Sequence, residues 1–589
     1  MSYFDLHLHP AFKAFLCHFD AAYPTDRPAA ELTGPLRLEH PVTRGLDAAQ
    51  LPLLGSQSCP DQLGQGGARL GVAAIAPMEL AFVDQRGFFG NLLHAAPLTR
   101  PLDVSYATRI WHGELSYYQL FLRELSVYRA LRAAGIVHLL NRRQPPDWDA
   151  LADDTLYLAL GLEGGHGLCR TKINRPAEPD TTLSVREPDA LTEDFARYPA
   201  LSPAEGLRHL QAALWQEGLD LFYLTLTHLT HVTGQHVATH AYGAKMTQSD
   251  SIYPRGAGLT YLGRQVVDAA CTLTVPGDDD GAVPAPVLLD VKHLSLRARQ
   301  ELYAYRRAQG YPQPLLATHV GVTGYGLAEW RAALEAAHLV RLGSGEKVVR
   351  IQTRRQVAGA WGLLNRTLTF NAWTINLLDE DIREILLSGG LIGLCLDVRI
   401  LGAQPALNPG DRAEYLSTEE FRHWFPDRYA RLPGATEEAP ESVAIPTAEE
   451  QHPLALCFNL LHILSVGRLT TDLDPWAQVC IGSDFDGLIQ PLVQSPDASQ
   501  FAAVETALLR WLPLAETAYR AQNGGPVLLP RTPAGDTDPA ALRQCVRGVM
   551  YDNGREFLRR WFQVPRAHSS TSNIESGARA SNASSSVDA

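Results

Sequence analysis

The chain has 589 residues, and its 51 Lys and Arg against 64 Asp and Glu give a formal net charge of −13 in a composition that is 46% hydrophobic and 20% charged. That balance excludes a globally disordered chain and disfavours polyanionic partners, so neither nucleic acid nor an anionic membrane is an expected partner. No run of about 18 apolar residues stands out, so no transmembrane helix and no membrane partner are expected.

In chain order, short apolar runs at 3–7, 70–77, 155–163, 219–227, 287–293, 315–319, 391–396 and 478–483 are separated by amphipathic stretches such as 117–134, 203–217, 295–309 and 380–387. This is the pattern of parallel strands joined by crossover helices, and eight such units predict an α/β fold, a closed (β/α)8 TIM barrel. A barrel of this type needs about 250 residues, so the surplus must lie in insertions. They are placed near 20–68, 170–202 and 402–452, within one hydrolase-sized unit over 1–566. The remainder, 567–589, is mostly Ser, Ala and Asn and is expected to be a disordered tail.

The opening residues MSYFDLHLHP lack the basic stretch followed by a long apolar one that an export signal needs. Eight cysteines are scattered without a C-x-x-C pair, which reads as reduced thiols rather than a disulfide scaffold or a cysteine zinc site. Both features predict a cytoplasmic protein.

Candidate chemistry begins on the first strand. In Asp5-Leu6-His7-Leu8-His9 a period of two puts His7 and His9 on one face and Leu6 and Leu8 on the other. Two imidazoles one pleat apart can share a zinc-sized ion, or can be hydrogen-bonded side chains with no ion. On the third strand, 156–166, leucine occupies every even position of 156–162, so the odd positions face the barrel interior and Glu163 points inward at the strand's carboxyl end, where barrel active sites lie. A carboxylate buried there needs a cation, an arginine or a backbone amide. Gly164 and Gly165 directly after it suggest a close backbone approach.

The fourth strand ends in His228, and His231, His236 and His240 follow in its loop; one of them could polarise a carbonyl, and spacing does not choose among them. Strands five and six end in His293 and His319. Each alone could merely cap a strand, but four histidines and one glutamate at strand ends make two sets of nitrogen ligands that a carboxylate can bridge. On the eighth strand alternation aims Cys480, Gly482 and Asp484 inward, which suits Asp484 to general-base work; Asp486 before Gly487 is either a second site carboxylate or a turn residue.

Taken together, GLEGGHGL (161–168), YLTLTH (223–228), LLDVKHLS (288–295), LLATHVG (315–321), INLLDEDI (375–382), IGSDFDG (481–487) and MYDNGREFLR (550–559) resemble the membrane dipeptidase (renal dipeptidase-like) family of the amidohydrolase superfamily. The resemblance covers most of 1–563 outside the insertions. It implies a zinc-dependent metallopeptidase with two metal ions bridged by Glu163 and a hydroxide. His7 and residue 9 would complete one metal site and His293 and His319 the other, with Asp484 activating the nucleophile and His228 touching the substrate. Two departures stand out. Position 9 is His9 where the family usually has Asp, and Ile375-Asn376 stands where it has an Arg-Asn pair whose arginine holds the substrate carboxylate.

The resulting expectation is a binuclear metal-dependent hydrolase that cleaves a small amide, a dipeptide or an N-acyl amino acid, with two zinc-like ions and a homodimer as a further possibility. The alternatives are a lactone or ester hydrolase of the same superfamily, and a barrel whose metals are structural and whose insertions bind a partner.

Overall fold

The computed structural model describes residues 2–17, 29–49, 54–85, 94–170, 173, 201–232, 234–243, 249–277, 281–361, 366–403, 413–433 and 451–563. The tail 567–589, nearly all of 170–202 and parts of 20–68 and 402–452 lie outside the described residues.

Eight strands pair in parallel and in sequence order: β1 (Tyr3–Leu8), β2 (Ala68–Ile75), β3 (Leu156–Glu163), β4 (Leu221–Thr225), β5 (Leu288–Asp290), β6 (Leu315–Val320), β7 (Leu391–Leu394) and β8 (Val479–Ile481). The sheet closes where the ends of β8 and β1 meet. Asp484 N–H donates to His7 O at 2.9 Å, His9 N–H to Phe485 O at 3.0 Å, and Asp5 accepts from the Ser483 backbone N–H and hydroxyl. Each strand is followed by a crossover helix: α1 (Pro60–Gly66), α2 (Tyr117–Ala133), α3 (Pro203–Gln216), α4 (Tyr261–Thr272), α5 (Leu296–Gln309), α6 (Asp379–Leu387), α7 (Gln451–Thr470) and α8 (Phe501–Asn523). The order is that of the expected (β/α)8 barrel.

Local sequence starts these helices where the structure does. Ser116 and Ser202 cap α2 and α3 in capping boxes with Gln119 and Glu205, and Ser295 caps α5, which ends on Gly310 in the left-handed conformation at φ 69°.

One hydrophobic cluster takes a residue from every barrel strand, among them Phe4, Leu6, Leu70, Ala159, Tyr223, Leu288, Leu316, Leu391 and Cys480, and is therefore the barrel interior. The alternate residues, such as Leu158, Leu160, Leu289, Ala317, Ile392 and Ile481, belong to a larger cluster shared with the helices. A final helix, α9 (Asn553–Phe562), plugs the amino-terminal end of the barrel with Phe557, Leu558 and Phe562. Burial of each contributes about 1.5–3 kcal/mol. Gly554 is required there, because a Cβ on it would lie 2.0 Å from the Phe4 ring. Closing that end leaves the carboxyl ends of the strands as the open face.

Between β6 and α6 the chain makes antiparallel structure that the strand-and-helix reading did not anticipate. Leu334–Arg341 pairs with Lys347–Thr353, and Val357–Trp361 pairs with Arg366–Thr369. Lys347–Thr353 also pairs with Ala413–Ser417, which lies beyond β7, so two connections at the barrel's open face build one small sheet.

The expectation that no helix would be apolar enough to span a membrane needs correction. By length and composition α7 is, with a mean hydropathy of 1.3 over its best 18-residue window, 83% of which is buried inside the protein. His452, Asn459 and His462 interrupt its apolar run, which is why the sequence did not display it. All eight cysteines are free.

Candidate metal centre

Seven side chains singled out in the sequence converge at the open end of the barrel. Glu163 is central: Oε1 lies 3.0 Å from His293 Nε2, 3.5 Å from both His7 Nε2 and His319 Nε2, and 3.7 Å from His228 Nε2, while Oε2 lies 3.5 Å from His9 Nε2. His7 and His9 bring their Nε2 atoms within 3.2 Å of each other, and His293 and His319 bring theirs within 3.1 Å. Asp484 Oδ1 stands 3.5 Å from His9 Nε2 and 3.7 Å from His7 Nε2, and Oδ2 is 4.0 Å from His319 Nε2.

The opposite ring nitrogens say which of these atoms carry lone pairs. Ala74 O can only accept, so His9 Nδ1, 3.0 Å away, carries a proton and leaves Nε2 bare in the neutral ring. Thr318 donates its hydroxyl to Asp290 Oδ2 at 2.8 Å and therefore accepts from His319 Nδ1 at 2.9 Å, which again leaves Nε2 bare. Tyr223 Oη meets His7 Nδ1 at 2.6 Å and fixes the orientation of the third ring. Lone pairs on paired imidazoles facing one carboxylate repel unless a proton or a cation sits between them. Three overlapping sets have ligand atoms close enough to share an ion: His7, His9 and Asp484; His7, Glu163 and His319; Glu163, His228 and His293. Imidazole and carboxylate donors of this kind suit zinc, so the residues fit two divalent ions with Glu163 between them.

Charge is arranged to match. Burial disfavours ionised Glu163, but the surrounding histidines, His7 first, hold its carboxyl well below the usual range. Burial also opposes protonation of His9 and His228. It is overcome at His9 by the hydrogen bond its ring donates to Asp484 and at His228 by the charges of Glu79 and Glu163, and both rings rise to about 9. Burial keeps His293 and His319 neutral, well below the usual value.

Placement of these residues uses both regular and irregular backbone. Glu163 follows the alternation of β3 as expected. On β1 the expectation is half corrected: Leu6 joins Phe4 in the barrel interior instead of lying outside with Leu8. The reason is a register shift between Asp5 and Leu8, where three steps on β1 oppose two on β2, and this extra residue turns His7 inward too. On β6 a similar shift between Ala317 and Val320 brings Thr318 and His319 both inward. His293 and Asp484 stand in the left-handed region at φ 64° and 65°, uncommon for residues with a Cβ and characteristic of sites held by their surroundings.

The glycines after Glu163 do permit close approach, but of protein to protein. A Cβ on Gly165 would lie 2.4 Å from Leu226 O, and one on Gly164 2.3 Å from the His166 ring. Asp486 resolves as an anchoring residue: it accepts from Gln57 N–H, Ser58 N–H and the Ser58 hydroxyl, tying the β1–β2 connection over the barrel rim. Of the four loop histidines, His228 is the one at the centre. The His231 and His236 rings pack against each other, tilted by 42° with centroids 4.0 Å apart, and His240 is buried with Nδ1 on Ala241 O.

Four functional residues escaped the sequence reading. Glu79, beyond the end of β2, is buried and accepts from His228 Nδ1 at 3.0 Å and from Leu229 N–H at 2.9 Å, so it aims His228 Nε2 at the centre. Asp290 accepts from the Thr225 and Thr318 hydroxyls and from the Lys292 and Thr318 backbone N–H groups, which braces β5 and β6 behind their histidines. Tyr223 holds His7, and Lys292 lines the cavity above the centre. Asp290 and Lys292 could have been found by inward parity from Leu288, and Glu79 by scanning for an acid beyond each strand end.

The cavity has a volume of about 840 Å³, part of it open to solvent, and is lined by His9, Glu79, Glu163, His228, Lys292, His293, Ile375, Asp397, Arg399 and Asp484 among others.

No family model matches the sequence, and no curated protein matches it significantly. Among solved structures the chain is similar to the metallopeptidase dipeptidase AC, at 15% identity and a TM-score of 0.42 over 96% of this chain and 99% of that one. It is also similar to a metallopeptidase from Rhodobacter sphaeroides liganded with a phosphinate mimic of the dipeptide L-Ala-D-Ala, at 15% identity and a TM-score of 0.40 over 95% and 99% of the two chains. A third similar structure is the probable dipeptidase PvdM from Pseudomonas aeruginosa, at 14% identity and a TM-score of 0.39 over 95% of each chain.

Proposed function

We propose that this chain is a binuclear metal-dependent hydrolase of small amides, with dipeptides and N-acyl amino acids as its substrate class. The observation that carries the reading is the convergence of four imidazole Nε2 atoms on Glu163, with Asp484 beside His7 and His9, at the open end of a barrel. His7 and His9 with Asp484, and His293 with His319, would hold the two ions, with Glu163 between them and zinc the metal best suited to the donors. Divalent ions held there lower the pKa of water and polarise a carbonyl oxygen.

The chain's own groups supply the rest. Asp484 borders the cavity with 14% of its side chain exposed, so a carboxylate oxygen can take the proton of an attacking water and return it to the departing amine. His228, pinned through Nδ1 by Glu79, presents Nε2 as a donor where the carbonyl oxygen gains negative charge. Phe12, Phe82, Leu229 and Ile375 line the cavity with apolar surface that limits water access.

Metal analysis and a hydrolysis screen test the reading together. About two divalent ions per chain are expected, with chelator-sensitive cleavage of dipeptides or N-acyl amino acids. Faster cleavage of lactones than of any amide would reassign the substrate class, and a metal-free chain with an unaltered fold would remove the enzyme altogether.

A further inference from the structure

The small antiparallel sheet at the barrel's open face ends in a strand whose outer edge is unpaired. Among the described residues Leu334–Arg341 pairs only with Lys347–Thr353, which separates it from Ala413–Ser417. The opposite outer strand, Ala413–Ser417, is buried except for half-buried Tyr415, whereas Ala336, Ala337, His338 and Leu339 are all partly exposed. Hydrogen-bond direction in the hairpin identifies the free peptide groups. Leu342 N–H donates to Glu346 O at 2.8 Å, and the same register pairs Val340 with Val348 and His338 with Arg350, so these even-numbered residues turn their peptide groups toward Lys347–Thr353. Ala337, Leu339 and Arg341 turn theirs to the open edge. Soluble proteins blunt such an edge with lysine, proline or a bulge. Here the run Ala336-Ala337-His338-Leu339-Val340 contains no acid, lysine, arginine or proline, and the register shift lies before it, between Leu334 and Ala336. Charge is confined to the two ends, where Glu335 and Arg341 are exposed and, among the described residues, form no ion pair.

We propose that this edge receives a second copy of the same chain: two Leu334–Arg341 strands run antiparallel about a two-fold axis at His338, and two three-stranded sheets become one continuous sheet. In that register Ala337 faces the partner's Leu339 and Leu339 the partner's Ala337, which satisfies the outward peptide groups of both. Glu335 of each chain comes beside the partner's Arg341, whereas a parallel arrangement would set like charges together. This self-complementary charge pattern is what selects a second copy over an unrelated strand. Ala337 and Leu339 are partly buried on the face that carries Val349, Ile351 and Leu416, and pairing completes their burial against each other. The assignment is independent of the hydrolase reading.

Sedimentation equilibrium of the full chain over a concentration series tests it, with circular dichroism to confirm that each variant is folded. The native chain should associate to a dimer. Ala337→Pro removes an N–H that faces the open edge and leaves the pairing with Lys347–Thr353 intact, so the dissociation constant should rise by at least about 10²-fold. Glu335→Arg alone, or Arg341→Glu alone, sets like charges opposite each other at both ends of the pair and should weaken association by about tenfold. Combining the two exchanges restores both attractions and should return the dissociation constant to near its native value. A native chain that stays monomeric at every concentration overturns the proposal and leaves the edge to a different partner or to solvent. A dimer of native strength in Ala337→Pro, or in both charge variants, overturns it by placing the contact elsewhere. Weakened single variants that the double variant fails to rescue overturn the antiparallel register. Should Ala337→Pro not fold, the charge variants, made at exposed side chains, still decide the outcome.

Discussion

Strand β3 and strands β1, β5 and β6 deliver their site residues by different means. Along β3 the leucines at 156, 158, 160 and 162 all face the helices, Tyr157 and Ala159 face the interior, and Glu163 arrives at the centre by uninterrupted alternation. The other three strands break alternation at the same height: β1 and β6 by an extra residue, and β5 by a left-handed His293. A regular strand offers one inward side chain every second residue. Two imidazoles with Nε2 atoms 3.2 Å apart, together with a brace behind them, need more inward positions than that spacing supplies. The bridging position can be regular because one carboxylate suffices there; the paired positions cannot.

The largest effect should come from the regular strand. Glu163→Gln removes the one charge that every imidazole faces, and should weaken metal binding by at least about 10²-fold and abolish turnover with it, whereas His228→Ala should retain nearly all the metal. Equal and full metal occupancy in the two variants, measured by elemental analysis, would mean that the centre does not depend on Glu163.

Asp484 sits at an irregular position, and its substitution separates proton transfer from ligation. Asp484→Asn is nearly isosteric and leaves Glu163 and the four paired histidines in place, so turnover should fall by at least about 10²-fold while most of the metal stays. Near-normal turnover with a lowered melting temperature would make Asp484 a structural carboxylate. Loss of metal in step with activity would make it chiefly a ligand, in keeping with its 3.5 Å distance from His9 Nε2.

Asp290→Asn probes the brace behind the irregular strands. Replacing an oxygen by an amide nitrogen turns one acceptor edge into a donor against groups that are themselves donors. Metal affinity should drop by about tenfold or more through His319, which reaches Asp290 by way of Thr318. Titration with a competing chelator measures it, and unchanged affinity would show that β5 and β6 hold their histidines without the brace.

The smallest effect belongs to a histidine away from the centre. Burial lowers His452 from its usual 6.5 to about 4, and its Nδ1 accepts the Val493 N–H, which requires an unprotonated nitrogen. The unfolded chain takes up that proton near pH 6.5 and the folded one only near 4, so this ring's stabilisation is complete above pH 6.5 and is lost as the pH falls toward 4. In chelated protein His452→Gln should therefore flatten the decline of melting temperature across that window. A decline parallel to that of the native chain would exclude the ring as a contributor.

Composition, strand order and helix starts were legible in the sequence because each depends on neighbours within a few residues. Period-two leucines identified β3, and Ser116, Ser202 and Ser295 marked helix starts by the hydrogen bonds they can make locally. The seven site residues were legible for the same reason, as polar groups at the ends of apolar runs. The antiparallel sheet was not, since Lys347–Thr353 finds its partner Ala413–Ser417 across the intervening β7.

What the sequence determined by itself is therefore the periodic part of the protein: eight strand–helix units, an inward Glu163 and a set of histidines at the strand ends. Tertiary structure alone decided the register shifts and the left-handed residue that bring His7, His319 and His293 to the centre, the choice of His228 over His231, His236 and His240, and the pairing of His228 with Glu79. The physical reason is that a bulge or a left-handed residue costs free energy locally and persists only where surrounding contacts compensate it. At this centre those contacts come from side chains distant in sequence: Asp290 bracing Thr318, Tyr223 on His7, and Asp5 joining β1 to β8.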